Sequence, residues 1–114
     1  MIEYLYAMEN RIRHIAQDYK VILQNLYGPE LAELVLFGSY ARGDQHAYSD
    51  LDFAIVLQNP KTRTSAELKK IAPFSSQLSL KYGIMISSLP ISFEKKKTSM
   101  QGLYQEIRKE GIIL

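Results

Sequence analysis

The short connection between two apolar runs constrains the fold of this chain more than any other feature. Residues 34–37 and residues 50–57 are both rich enough in branched and aromatic side chains to form buried strands. The segment between them is too short for the crossover helix that usually joins parallel neighbours. The sequence therefore predicts a mixed or antiparallel sheet.

A long first helix is predicted before these strands, over residues 3–27. Apolar residues recur there at steps of three and four, which places them on one helical face: Leu5, Met8, Ile12, Ile15, Tyr19, Ile22 and Leu26. Gly28 allows the helix to end, and Pro29 cannot continue it. We expect this apolar face to pack in the core, or alternatively to dock a partner.

A second long helix is predicted after the strands. Thr64 and Glu67 have capping-box spacing for its start, and Gly83 suits its end. Pro73 lies within the helical pattern, where it removes a hydrogen bond and crowds the preceding turn. We therefore expect a kink or a break near Ala72.

The end of the chain predicts a third strand and a last helix. Residues 84–89 form an apolar run that Pro90 follows, and residues 99–110 form a helix that stops at Gly111. Leu103 and Ile107 are expected to face inward on that helix. The alternation of helices and strands predicts an α/β (α+β) fold, a small mixed or antiparallel sheet with flanking helices.

Composition narrows the classes of protein. With 114 residues, 46% of them hydrophobic and 23% charged, the chain predicts a single globular domain, 1–114. A net charge of +2 is too small to predict binding to duplex nucleic acid, and the absence of cysteine excludes disulfides and thiolate metal sites. Neither a signal peptide nor a run of roughly 18 apolar residues is present. We therefore expect a cytoplasmic protein without a membrane partner.

Asp50 and Asp52 form the first half of a candidate site. Residues i and i+2 of a strand share a face, so the two carboxylates lie together while Leu51 and Phe53 face the other side. Two close acids repel each other unless a cation neutralises them, and oxygen ligands suit Mg²⁺. On its own, however, Asp-x-Asp is also common in surface pairs that bind nothing.

Gly38 and Ser39 form the second half. A glycine after a strand lets the backbone approach a ligand closely, and a helix that begins at Ser39 or Tyr40 directs free N–H groups at a phosphate. Gly-Ser also occurs in ordinary turns. Together with Asp50 and Asp52 on the next strand, it predicts a site where phosphates and Mg²⁺ meet.

Residues 38–52 resemble the signature of the DNA polymerase β-like nucleotidyltransferase superfamily, in which Gly-Ser precedes Asp-x-Asp at a fixed spacing. Gly38, Ser39, Asp50 and Asp52 match that signature position for position. Arg42-Gly43 and Ser49 also match small members, and the first helix and residues 107–111 are similar to the minimal nucleotidyltransferase (MNT) subfamily. The resemblance implies a polymerase β-like nucleotidyltransferase fold.

The resemblance also implies a function. Mg²⁺ bound by Asp50 and Asp52 would support nucleotidyl transfer from ATP, with Gly38, Ser39 and Arg42 binding the nucleotide. MNT proteins often act as antitoxins of HEPN-domain ribonuclease toxins, and some transfer AMP to a toxin tyrosine. We therefore expect a hetero-oligomer with such a toxin and no direct contact with nucleic acid.

One departure from the family pattern leaves the catalytic step open. The family normally carries a third carboxylate on a later strand, and the alignment places Met85 at that position, on the same strand face as Ser87. Asp44 and Glu94 are conceivable substitutes, although no spacing supports them. The first alternative is therefore an antitoxin that neutralises its toxin by binding and occlusion. A weaker one is a transferase that acts on a small molecule such as an aminoglycoside.

Other residues keep two interpretations. Arg42 either pairs with phosphate or forms a salt bridge to Asp44 or another acid. His46 either reaches the site or is a solvated loop histidine. Tyr40 and Tyr48 either stack on a base or pack at the rim. Residues 95–97, three lysines, are either a solvated loop or a contact for an acidic or RNA-bound partner.

Overall fold

The structure, a computed structural model, describes residues 10–114. Leu5 and Met8 of the predicted helical stripe lie outside the described residues. The elements are α1 (Asn10–Tyr27), a 3₁₀ turn (Gly28–Glu30), β1 (Leu31–Phe37), α2 (Ser39–Arg42), β2 (Leu51–Leu57), α3 (Thr64–Tyr82), β3 (Ile86–Ser92), α4 (Phe93–Thr98), α5 (Gly102–Glu110) and β4 (Ile112–Ile113). From residue 10 onward, no helix is long and apolar enough to cross a membrane.

The four strands form one mixed sheet in the order β3-β2-β1-β4. β1 pairs antiparallel with β2 and β4, while β2 pairs parallel with β3. The short connection from β1 to β2 forces the antiparallel pairing, and α3 provides the longer crossover that a parallel β2–β3 pair needs. The predicted mixed sheet with flanking helices is confirmed.

Alternate side chains divide this sheet into two faces. The first, called the core face here, packs against α1 and α3, and its buried residues include Tyr19 and Phe53. The second, called the cleft face, packs against α4 and α5, and its smaller buried cluster includes Val35 and Ile107. Asp52 alternates with Phe53 along β2, so its carboxylate lies on the cleft face.

The capping box predicted at the start of α3 does not form. Arg63 is the N-cap, and it makes no side-chain capping bond. The Thr64 hydroxyl instead donates to the carbonyl of Pro90 at 2.7 Å, and Glu67 accepts a hydrogen bond from the Tyr27 hydroxyl at 2.8 Å. Both side chains that a capping box would use are therefore hydrogen-bonded to residues of other elements.

Of the kink or break predicted near Ala72 in α3, the break does not occur. The helix runs without a break through Pro73 to Tyr82 and ends, as predicted, at Gly83 with φ 65°. Ile71 and Leu78 are buried on either side of the proline. Packing against the sheet therefore offsets the loss of one backbone hydrogen bond.

The predicted last helix, residues 99–110, is confirmed as α5 with a later start at Gly102, and a short helix that the sequence did not predict, α4, precedes it. α4 begins after Ser92, whose hydroxyl accepts a hydrogen bond from the Lys95 N–H at 3.1 Å. α5 buries Ile107, as predicted, but Leu103 is 43% exposed, so its inward orientation was wrong.

Two further differences concern the lysines and the strands. Residues 95–97 lie in α4 rather than in a loop, and Lys96 forms a mostly buried ion pair with Glu33. β3 continues through Pro90, because an edge strand tolerates a residue without an N–H. β4 is too short to leave a pattern in the sequence.

Candidate active site

The acid pair sits where β2 begins on the cleft face. Asp50 immediately precedes the strand and is exposed, whereas Asp52 lies within it and is half-buried. Asp52 pairs in register with Phe37 at the end of β1 and with Ser87 on β3. The pairing brings the end of β1 beside the acids, as the sequence predicted.

Gly38 is required at the end of β1 for two reasons. Its φ of 74° and ψ of −155° are disfavoured for other residues, and a Cβ at this position would lie 2.3 Å from Asp52 Oδ2. The backbone therefore passes the Asp52 carboxylate more closely than any side chain would permit. This contact joins the two predicted halves of the site.

The short helix α2 starts at Ser39, directly after this glycine. The N–H groups of Ala41 and Arg42 both donate to the carbonyl of Gly38 at 3.1 Å. The N–H groups of Ser39 and Tyr40 precede the first donors that a helix can satisfy internally. An open helix start of this kind suits an anion.

A cleft of about 540 Å³ lies over these elements. Four carboxylates and one guanidinium line it together with polar loop groups, so its walls carry excess negative charge. The lining residues are Phe37, Gly38, Ser39, Arg42, Asp44, His46, Ser49, Asp50, Asp52 and Glu106. All five predicted site residues therefore share one cleft.

The electrostatics of the acid pair favour a cation. Partial burial raises the pKa of Asp52, and the neighbouring charge of Asp50 raises it further, while hydrogen bonding from Ser87 acts in the opposite direction. A bound divalent cation would favour the charged carboxylate and so counteract the rise in the pKa of Asp52 that burial and Asp50 cause. The oxygen-only donors fit the hard ion Mg²⁺.

Arg42 contacts carboxylates on two sides. Its Nε lies 3.1 Å from Asp44 Oδ2, which is the salt bridge that the sequence left open. Its Nη1 lies 2.5 Å from Glu106 Oε1 and 3.4 Å from Glu110 Oε2, both on α5. The sequence missed these two acids, because nothing in the spacing links α5 to the Gly38–Asp52 segment.

The β3 position beside Asp52 carries a hydroxyl rather than a carboxylate. Ser87 pairs with Asp52, while Met85 lies two residues earlier, before the strand, and its carbonyl accepts the Leu51 N–H at 2.9 Å. Met85 is 63% exposed. Of the two residues on this strand face, Ser87 is the direct neighbour of the half-buried acid.

Of the remaining candidate site residues, some line the cleft and others lie outside it. His46 lines the cleft, and its Nδ1 accepts the Tyr48 N–H at 3.2 Å. The Tyr48 side chain is 91% exposed, whereas Tyr40 packs against the core cluster. Asp44 lines the cleft, but Glu94 is exposed on α4 and is not among the lining residues.

The strand order, the glycine turn against Asp52 and the open helix start together define a nucleotidyltransferase. The chain belongs to the nucleotidyltransferase domain family, whose sequence profile matches residues 17–114. It is 36% identical over 101 residues to a candidate protein adenylyltransferase of Methanocaldococcus jannaschii, covering 89% of this chain and 96% of that protein.

Two further proteins are similar to this chain. A second candidate protein adenylyltransferase of the same archaeon is 30% identical over 95 residues, which is 83% of this chain and 63% of the relative. A crystal structure of a toxin–antitoxin with AMP-PNP superposes with a TM-score of 0.56 at 20% identity, covering 84% of this chain and 69% of the other. This likeness confirms the predicted fold.

Proposed function

We propose that this protein is an antitoxin that transfers AMP from ATP to a tyrosine hydroxyl of a partner HEPN-domain ribonuclease toxin. The whole chain, 1–114, acts as one nucleotidyltransferase domain, and the complex with the toxin is a hetero-oligomer. One observation carries the proposal: the Gly38 backbone lies against the Asp52 carboxylate, so a phosphate at the turn adjoins a cation at the acids. Neither membrane nor nucleic acid takes part.

The comparisons support the type of reaction. Both relatives from Methanocaldococcus jannaschii carry names of candidate protein adenylyltransferases, and one of them matches this chain over nearly its full length. The superposed toxin–antitoxin contains AMP-PNP, an ATP analogue. An antitoxin that uses ATP to modify a protein agrees with both similarities.

Asp50 and Asp52 are the residues that would hold Mg²⁺. The fit follows from their oxygen donors and from the burial and mutual repulsion that raise the pKa of Asp52. Mg²⁺ would supply neutralisation of the charge on the triphosphate. The backbone N–H groups at Ser39 and Tyr40 would hold the outer phosphates in the same cleft.

The reaction exchanges the α–β phosphoanhydride bond of ATP for a phosphodiester bond to the acceptor. The acceptor oxygen attacks the α-phosphorus of ATP, the bond to the β-phosphate oxygen breaks, pyrophosphate leaves, and the hydroxyl proton passes to solvent. The residues of the cleft contribute mainly by positioning and neutralising the triphosphate. Because the cleft is open and the chain small, a docked macromolecule supplies the acceptor better than a small molecule.

The modification would silence a ribonuclease by charge and bulk. An AMP group adds a negative phosphodiester and a base to the toxin. RNA phosphates approach a basic surface through electrostatic attraction, and a fixed negative charge there opposes them. AMP added at an RNA-binding cleft would therefore oppose RNA binding.

Intact-mass spectrometry of the co-purified toxin tests the proposal. After incubation with this protein, ATP and Mg²⁺, the toxin mass should rise by whole AMP units. Asp50→Asn combined with Asp52→Asn should abolish the increment. Asp18→Asn, the same change at an acid on α1 that pairs with Lys81 outside the cleft, should leave it intact. A silenced toxin of unchanged mass would contradict the transfer.

A second candidate is an antitoxin that works by binding and occlusion alone. The observation that favours it is that neither Met85, where the alignment places the family's third carboxylate, nor Ser87, which pairs with Asp52, carries an acid. In that case the Asp50→Asn/Asp52→Asn variant would silence the toxin to the same extent as the unmodified protein. The same experiment therefore separates the two functions.

A further inference from the structure

We propose that the outer edge of β3 binds a short extended segment of the partner protein, and that this segment carries the tyrosine that receives AMP. This surface rests on the proposed function, because it would present the acceptor hydroxyl to the same cleft. Two features of β3 point to it: the backbone groups that its outer edge leaves open, and the position of that edge beside Asp52.

Backbone groups alternate between the two sides of β3. The Leu51 N–H donates to the Met85 carbonyl at 2.9 Å, and Leu51 pairs in register with Ile86. In the regular pattern of a parallel pair, the two neighbours of Ile86 then bond to β2, and so does every second residue after them. The residues between them, Ile86, Ser88 and Pro90, direct their backbone groups away from β2. Among residues 10–114 the sheet ends at β3 on this side, so these groups form its outer edge.

Side chains of α3 block both ends of this edge. The Ile86 N–H donates to the Ser79 hydroxyl at 3.1 Å, and the Pro90 carbonyl accepts the Thr64 hydroxyl at 2.7 Å. Proline itself has no N–H to offer. Proteins use such devices to prevent long edge strands from pairing with other chains. A long strand, such as β3 of a second copy, is therefore a poor occupant of this edge.

The middle of the edge is open at Ser88, which is partly exposed. In the part of the chain that the structure describes, no group hydrogen-bonds the outward N–H and carbonyl of Ser88. Its hydroxyl belongs to the core face, where it lies 2.6 Å from the Tyr19 hydroxyl. One outward N–H with its carbonyl is what an added strand uses at a single position of a sheet. The opening therefore suits a short extended segment.

This opening lies beside the acid pair. Ser87 precedes Ser88, pairs with Asp52 and shares its face of the sheet. A segment bound at Ser88 would direct alternate side chains to the cleft face, next to Ser87. Two strand spacings, roughly 10 Å, would separate its backbone from that of Asp52. A tyrosine side chain covers most of that distance, whereas serine or threonine is too short.

The side chains at the opening leave room for an aromatic ring. Ser87 is small and exposed, and Met85, two residues earlier, is 63% exposed. A methionine sulfur makes favourable contacts with aromatic rings. The phenolic oxygen would form the new bond to the α-phosphorus while pyrophosphate leaves and the phenolic proton passes to solvent. The two residues that replace an acid at this end of β3 thus fit a tyrosine acceptor.

The first experiment follows amide hydrogen exchange by NMR in the unmodified protein, alone and with the co-purified toxin, without ATP. In the protein alone, the Ser88 amide should exchange rapidly, whereas the Ser87 and Leu89 amides, which face β2, should be protected. In the complex, the Ser88 amide should exchange at least about tenfold more slowly.

Two outcomes of this experiment would overturn the proposal. The first is an unchanged exchange rate of the Ser88 amide in a complex that has formed. The second is protection of the Ser88 amide in the protein alone that grows with its concentration, because the occupant would then be a second copy.

The second experiment compares rates of AMP transfer to the toxin. Ser88→Pro removes the outward N–H and places a ring in the opening, while Ser88→Ala keeps the N–H and lacks only the hydroxyl that meets Tyr19. Ser88→Pro should transfer AMP roughly tenfold more slowly than Ser88→Ala, because a partner carbonyl loses its donor. Both variants should bind ATP with Mg²⁺ equally well in titration calorimetry. Equal transfer rates would overturn the proposal, and if Ser88→Pro does not fold, the exchange experiment decides alone.

The results separate this surface from the proposed function. If a complex forms but the toxin gains no AMP, the transfer fails, whereas exchange at Ser88 still decides whether the edge is the docking surface. If Ser88→Pro and Ser88→Ala modify the toxin at the same rate, the docking surface fails and the proposed function stands. If no complex forms, both fail.

Discussion

The core face and the cleft face of the sheet are held together by different contacts. On the core face, α1 and α3 cover a continuous apolar cluster in which the Tyr19 and Phe53 rings meet edge to face, 5.3 Å between centroids. On the cleft face, a smaller apolar cluster shares the surface with the Lys96–Glu33 ion pair and with the acids of the site. The two faces of one strand, β2, thus serve different purposes.

This difference explains how so small a protein tolerates a repulsive site. Clustered carboxylates cost stability, and a marginally stable domain must recover it elsewhere. Here the strand that presents Asp52 to the cleft buries Leu51 and Phe53 on its opposite face. The apolar side stabilises the strand, and the charged side is free to meet ligands.

The largest expected effect would come from adding charge to the cleft face. If a third carboxylate is what the site lacks, Ser87→Asp should raise transfer by the roughly 10²–10⁴-fold that a positioned general base contributes. Met85→Asp, two residues before the position that pairs with Asp52, is the matched control and should gain less. Steady-state rates of AMP transfer measure both, and a larger gain from Met85→Asp would show that the register with Asp52 does not mark the missing acid.

The sequence predicted the core face far better than the cleft face. Periodicity identified Ile12, Ile15 and Tyr19, which are buried, because a core leaves a repeated apolar pattern. The motif located Gly38 and the acid pair, because these residues are close in the sequence. No sequence pattern predicted that Glu106 lines the cleft, because a single ion pair between distant elements leaves neither a periodic pattern nor a fixed spacing in the sequence.

The errors along α3 and α5 have related causes. Thr64 and Glu67 fit a local capping rule, yet each bonds to a distant element instead. Leu103 fits the apolar stripe of α5, but the helix is shorter than predicted, and its neighbour Tyr104 packs against the cleft-face cluster instead. Local rules failed where tertiary contacts competed for the same side chains.

Removing the same side chain from each face tests the contrast in packing. Ile55 on the core face and Ile91 on the cleft face are both almost fully buried. Ile→Ala in a core costs about 2–5 kcal/mol, more where the surroundings cannot collapse into the cavity. Ile55→Ala should therefore lower the free energy of unfolding more than Ile91→Ala. Urea denaturation measures both, and equal losses would argue that the smaller cluster is packed as rigidly as the larger one.

A smaller effect is expected from the polar contact that reaches into the core face. The Tyr19 hydroxyl lies 2.6 Å from the Ser88 hydroxyl, although the Tyr19 ring is fully buried. Tyr19→Phe should cost about 1 kcal/mol, the usual value of a hydrogen bond in a folded protein. Ser88→Ala should cost a similar amount, and the double variant little more than either. Fully additive losses in a double-mutant cycle would mean that the two hydroxyls do not depend on each other.

The smallest effect concerns charge on the cleft face and its dependence on pH. Because burial and Asp50 raise the folded-state pKa of Asp52, the folded protein binds this proton more tightly than the unfolded chain. The stabilisation that this bound proton provides is fully present below about pH 4, near the pKa of Asp52 in the unfolded chain. It is lost as the pH rises through the pKa of Asp52 in the folded protein. In buffer with a chelator at pH 7, Asp52→Asn should therefore have a higher free energy of unfolding than the unmodified protein, by less than about 1 kcal/mol, and a higher melting temperature. In acid the two proteins should be equally stable.

Asp18→Asn provides a control of opposite sign. Hydrogen bonds from Tyr82 and Lys81 lower the pKa of Asp18, so its contribution to stability is present above the unfolded value and disappears as the pH falls through the folded pKa. Asp18→Asn should thus melt below the unmodified protein at pH 7 and approach it in acid. Thermal scans of both variants from pH 3 to about pH 8 follow the two trends. If Asp52→Asn also melted lower at pH 7, the carboxylate of the cleft would stabilise the empty fold, and the division between a stabilising face and a charged face would be wrong.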